Sequence, residues 1–144
     1  MKKNNGLSFF IPKKEMGLDA ILINTGISAG FPSPAGDYKQ ERISLDKELI
    51  KNQEATFFAR VSGESMVNAG LEDGDLIIID RSIEPANNKI AVCYIDGEFT
   101  IKRLRVKKGK IWLQPENSKY QPIEITDDNE LIIWGIVTNV VKKL

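Results

Sequence analysis

The chain has 144 residues, with 20 lysines and arginines balanced by 20 aspartates and glutamates, one cysteine and no histidine. That length accommodates one compact domain plus an arm, and it buries a real core without disulfides or structural metal. The balanced charge gives no global pull toward nucleic acid or a membrane surface. Without histidine, neither a Ser-His-Asp triad nor a His/Cys zinc site forms within one chain.

Other chemistries are excluded in the same way. No Walker loop and no G-x-G-x-x-G stretch is present, so no cofactor and no metal are expected. The lone Cys93 falls in the apolar run Ile90–Ile95, where a buried structural thiol is the better reading than a nucleophile. One cysteine permits no intrachain disulfide, which suits a reducing compartment. The first residues have no continuous apolar core of a signal peptide, and the longest apolar run, Leu131–Val137, is too short to span a bilayer. A soluble, cytoplasmic protein is expected.

In chain order, residues 1–38 differ from the rest. Glycines and prolines punctuate them, with strand content expected around Leu7–Ile11 and Ala20–Ile23. Ser28–Tyr38 is expected to be extended, because each proline disfavours helix at the residue before it. This region reads as an arm: either a terminal linker or a segment that lies in a groove and is cut. Ile43–Lys51 predicts a short helix, with Ser44 as cap and Asp46 and Glu48 near its positive end.

Beyond residue 54 the pattern becomes β. Strands are predicted at Thr56–Val61, Leu76–Ile79, Ile90–Ile95, Phe99–Val106, Ile111–Leu113, Ile123–Ile125 and Leu131–Val141. Asp96-Gly97 and Lys107-Lys108-Gly109-Lys110 mark turns, and Ser65–Ala69 fits a single helical turn closed by Gly70. Many short strands at this spacing predict a mainly β fold, a twisted, partly open barrel or a sandwich, with one or two short helices.

Two residues draw chemical attention. Ser65 follows Gly63 and Glu64 at the start of the helical turn, where backbone N–H groups lack helical partners and could form an oxyanion hole. The simpler alternative is that Ser62 or Ser65 caps the turn. Lys102 lies in a strand and shares a face with Thr100, Leu104 and Val106. Partial burial there would lower its pKa and let the neutral amine take a proton from a serine hydroxyl. The alternative is a surface lysine in a basic stretch.

Gly63-Glu64-Ser65-Met66, then Asp73-Gly74-Asp75-Leu76, then Asp96-Gly97-Glu98-Phe99-Thr100-Ile101-Lys102-Arg103-Leu104 resembles the LexA/UmuD family of self-cleaving serine peptidases. Ala29-Gly30 followed by Phe31-Pro32-Ser33-Pro34-Ala35 is similar to its UmuD branch. The resemblance covers about residues 28 to 143. It implies Ser65 as nucleophile, Lys102 as general base, Ala29-Gly30 as the scissile bond, and backbone amides of Ser65 and Met66 as oxyanion donors. UmuD proteins commonly carry cysteine before the scissile glycine, and Ala29 is instead the residue that LexA-type repressors use.

The implied division is an arm, residues 1–29, removed by self-cleavage, and a peptidase β-domain, residues 30–144. The implied partners are a second copy in a homodimer, a RecA–ssDNA filament that stimulates cleavage, and a UmuC-type Y-family polymerase joined by the trimmed dimer for error-prone translesion synthesis. No direct sequence-specific DNA binding and no membrane contact are implied. Removal of the arm is expected to expose a partner surface. The competing readings are a LexA- or phage-repressor-like regulatory domain, which needs a helix-turn-helix for which this arm is too short, a non-catalytic β-module for protein interaction, and a signal peptidase, which needs a membrane anchor.

Overall fold

A computed structural model describes residues 7–13, 20–23 and 40–144, which fall into two compact units. In the smaller unit, β2 (Ala20–Ile23) pairs antiparallel with β3 (Gln40–Ile43). The helix α1 (Leu45–Leu49) follows. It is shorter than the span predicted, and Ser44 precedes it without a side-chain cap bond. Strand β3 lies outside the predicted strands, because Gln-Glu-Arg-Ile carries no apolar alternation to read.

The larger unit is one antiparallel sheet of eight strands. They are β1 (Leu7–Phe10), β4 (Thr56–Val61), β5 (Leu76–Asp80), β6 (Ile90–Ile95), β7 (Glu98–Lys107), β8 (Lys110–Gln114), β9 (Ile123–Glu124) and β10 (Leu131–Val141). Their order across the sheet is β1-β4-β5-β10-β6-β7-β8-β9. The strands after residue 54 thus fall where hydrophobic patterning predicts them, within a residue or two at the ends.

The sheet is strongly curled. Flat strands spaced about 4.8 Å apart would hold β1 and β7 roughly 24 Å from each other. The rings of Phe9 on β1 and Phe99 on β7 nevertheless meet with centroids 5.0 Å apart. Curling wraps one face around a core of Val61, Met66, Leu71, Ile77, Ile79, Val92 and Ile101, with Phe9, Phe57, Phe99 and Trp134 packed against it. The other face buries a second cluster of Ala91, Cys93, Ile95, Leu104, Leu113 and Ile136. Alternate residues of β6 serve the two clusters, which is why Ile90–Ile95 is apolar throughout rather than alternating.

The long strand β10 sits at the centre of the sheet, between β5 and β6, and carries two register shifts, between Ile133 and Gly135 and between Val137 and Asn139. Bulges of this kind increase local twist and let one strand serve a curled sheet. At Gly135 the neighbouring strand comes so close that a Cβ would lie 2.5 Å from Ile79 Cγ2. Among the described residues no helix is long and apolar enough to cross a membrane.

Candidate active site

The loop after β4 is built by local turn chemistry. Gly63 has φ +94°, a conformation that side-chain-bearing residues rarely adopt, and its N–H donates to Asp73 Oδ1 at 2.9 Å. The Val61 N–H donates to the Asp75 carbonyl (2.9 Å), and the Gly74 N–H donates back to the Val61 carbonyl (2.8 Å). These bonds pin the loop at its start. A 3₁₀ turn, Val67–Ala69, follows and ends at Gly70 with φ +83°. Met66 is buried in the first core cluster, so the residue after Ser65 anchors the turn while Ser65 itself stays half-exposed.

The capping alternative for Ser65 fails in this geometry. The 3₁₀ turn starts two residues later, has Met66 at its cap position, and has no side-chain cap bond. Ser65 Oγ instead lies 3.1 Å from Lys102 Nζ. Among the described residues no backbone acceptor takes the N–H of Ser65 or of Met66.

Lys102 lies mid-strand in β7, opposite Ala91, and only 7% of its surface is exposed. This overturns the reading of Lys102 as a surface residue. Its Nζ has two further neighbours, Thr100 Oγ1 at 2.6 Å and the Ile101 carbonyl at 3.1 Å. Among the described residues no carboxylate pairs with it. Burial therefore lowers its pKa below the ordinary 10.5, opposed only by a weaker attraction to Cys93. A neutral amine has two N–H donors and one lone pair. The Ile101 carbonyl can only accept, so it takes one N–H, and Thr100 Oγ1 can take the other. The lone pair is then free for the Ser65 hydroxyl.

A pocket of about 30 Å³ opens beside this pair, lined by Leu7, Val61, Ser62, Ser65, Thr100 and Ile101 among others. Leu7 belongs to β1, so the first described strand of the chain forms part of the wall. Ala29 and Gly30 lie outside the described residues.

The segment Pro115–Tyr120, which lies between two predicted strands, also takes part in the site, which its sequence does not announce. The Glu116 N–H donates to the Ser65 carbonyl at 2.8 Å, and the Glu116 carbonyl accepts from the Asn68 N–H at 2.8 Å. Asn117 Nδ2 donates to the Glu64 carbonyl at 2.8 Å. Arg103, next to Lys102, donates through Nε to Glu116 Oε1 at 2.5 Å. Of the groups around Lys102 Nζ, Thr100 is legible in the sequence, since it lies two residues away on the same strand.

A family model described as Peptidase S24-like matches residues 21–138. The chain belongs to that family. It is 41% identical over 114 residues to Protein MucA of Salmonella typhimurium, covering 78% of this chain and 77% of that one. Protein SamA of Salmonella typhimurium strain LT2 is 43% identical over 124 residues, 86% of each chain. The LexA repressor of Clostridium kluyveri is 42% identical over 120 residues, which make up 83% of this chain but 58% of the repressor. The resemblance expected from the motifs around Ser65 and Lys102 is thus matched by relatives that span most of the chain.

Proposed function

We propose that this protein is a self-cleaving serine peptidase in which Ser65 attacks the Ala29 carbonyl with Lys102 as general base. The observation that carries the reading is the 3.1 Å approach of a buried lysine amine, with no carboxylate partner among the described residues, to a half-exposed serine hydroxyl. Neutral Lys102 takes the Ser65 proton as Oγ bonds to the Ala29 carbonyl carbon. The N–H groups of Ser65 and Met66 face the developing oxyanion. Protonated Lys102 then gives its proton to the Gly30 nitrogen, which leaves as an amine. Water, deprotonated by the same lysine, frees the acyl group from Ser65.

Tethering the scissile segment to the site gives a high effective concentration, so a modest nucleophile suffices and control must lie in presentation of the segment. We place the protein in the DNA-damage response. A RecA filament on single-stranded DNA favours the cleavable arrangement by population shift. The trimmed homodimer joins a UmuC-type polymerase for translesion synthesis. Membership of the Peptidase S24-like family and the extent of the MucA and SamA matches support this reading.

The test is intact-mass analysis of purified protein, with and without RecA, ATP and single-stranded DNA, beside Ser65→Ala and Lys102→Ala. Loss of residues 1–29 in the wild type alone is the expected result. An uncut wild-type chain under every condition would leave the fold as a binding module and overturn the peptidase reading.

A further inference from the structure

We propose that β1 is a self-supplied strand seated in a peptide-binding groove along β4, so that cutting after Ala29 leaves residues 1–29 bound rather than free. The proposal rests on the cleavage reading above. Strand β1 lies upstream of that cut and β4 downstream, so after cleavage the two belong to different chains. Every contact between them is already non-covalent.

The seat is well defined. Leu7, Ser8, Phe9 and Phe10 pair in register with Val61, Arg60, Ala59 and Phe58. Leu7 is buried in the first core cluster. The Phe9 ring, on the same face, sits 4.9 Å from the Trp134 ring and 5.0 Å from Phe99. Ser8 and Phe10 point the other way and are exposed. The groove therefore selects an extended peptide with apolar side chains at alternate positions, an aliphatic one beside the Ser65 pocket and an aromatic one in the cradle of Trp134 and Phe99. Without β1, the β4 edge would show unpaired backbone groups beside an open aromatic cluster, an arrangement that attracts another strand.

Chain length allows cleavage with β1 in place. The roughly 19 residues from Phe10 to Ala29 reach up to about 65 Å when extended, far enough to return to Ser65. Exposure of the surface under the arm then needs two events, the cut and the release of β1, instead of the cut alone. Release is the step a partner can drive, by offering a strand of its own with the same alternation.

The experiment follows the cut full-length protein by native mass spectrometry and size exclusion at low micromolar concentration. The expected result is a complex of 1–29 with 30–144, which Phe9→Ala weakens at least about tenfold and Phe10→Ala leaves intact. Trp134 emission reports the loss of Phe9 from the cradle independently. Circular dichroism of uncut Phe9→Ala separates a weakened seat from a failure to fold, and Phe9→Leu provides a milder variant if it does fail. A second protein, Ser65→Ala with a site-specific protease sequence placed between Ala29 and Gly30, makes the same cut without the chain's own chemistry. Absence of self-cleavage in the wild-type chain, with retention of the fragment in that second protein, sinks only the peptidase reading. Immediate separation of the fragment from either cut protein overturns the strand seat.

Discussion

Glu116 holds the turn that carries Ser65 by its main chain at two points, donating to the Ser65 carbonyl and accepting from the Asn68 N–H, each at 2.8 Å. Its carboxylate meanwhile pairs with Arg103, one residue beyond Lys102 on β7. The Ser65 turn and the Lys102 strand are thereby tied through a single residue. Glu116→Gln loosens this tie without removing either residue of the proposed dyad. Since misplacement of about 1 Å can cost a hundredfold in rate, self-cleavage is expected to slow about 10- to 100-fold. The ion pair is half-buried, so stability falls by only about 1 kcal/mol. Time courses at several pH values check this: the rate drops but the pH midpoint stays where Lys102 sets it. A shifted midpoint would mean that Glu116 acts on the lysine directly.

The pH dependence follows from the burial of Lys102. Its pKa lies below the ordinary 10.5, and only the neutral amine can accept a proton. Self-cleavage is expected to rise about tenfold per pH unit below that pKa and to level off above it, before pH 10.5. The stability effect has a definite sign. Between the folded and unfolded pKa values the unfolded chain binds more protons, so stability rises with pH across that window. Lys102→Met keeps the bulk of the side chain and removes the charge. It is expected to abolish cleavage, raise the melting temperature near neutral pH by roughly 2–4 °C per kcal/mol of relieved desolvation, and flatten this pH dependence. A variant less stable than the wild type at neutral pH would contradict the desolvation argument.

The contrast between strand and loop explains what the sequence makes legible. Strands such as Ile90–Ile95 and Leu76–Ile79 announce themselves because burial on both faces demands uninterrupted apolar runs. Gly63 and Gly70 announce the Ser65 turn because each stands where a left-handed residue is required. The Ser65–Lys102 approach spans 37 residues and is set by sheet curl, which no local pattern encodes. Only the resemblance joined the two residues in advance. The Glu116 clamp was invisible for a different reason: it works through backbone groups, which every residue has. Strand β1 was expected as strand but read as part of an arm, since four residues say nothing about the edge to which they pair.

Cys93 provides a test of how dry the interior is beneath the site. The thiol is fully buried, and burial pushes its pKa up to about 12 despite the charge of nearby Lys102. The thiolate is the reactive form. Native protein at pH 8 is expected to resist iodoacetamide for hours, with modification appearing in proportion to unfolding when denaturant is added. Fast native-state labelling would show that the second core cluster opens locally.

Gly135 is where the curl of the sheet is most exposed to a small perturbation. It lies between two register shifts on β10, and its missing side chain is the space that Ile79 Cγ2 occupies. Ile79 is fully buried and cannot move into solvent, and Arg81, whose Cγ would lie 3.2 Å from the new Cβ, is fixed by a hydrogen bond to the Trp134 carbonyl. Gly135→Ala is therefore an overpacking substitution and is expected to destabilise by about 1–3 kcal/mol, with no contribution from forbidden backbone angles. Urea denaturation distinguishes this from a loss of flexibility: the midpoint falls while the slope is unchanged. The double variant Gly135→Ala/Ile79→Ala should cost less than the sum of the two single variants, because alanine removes the Cγ2 methyl that clashes. If the two costs add in full, the close approach of β10 to β5 is not what Gly135 secures.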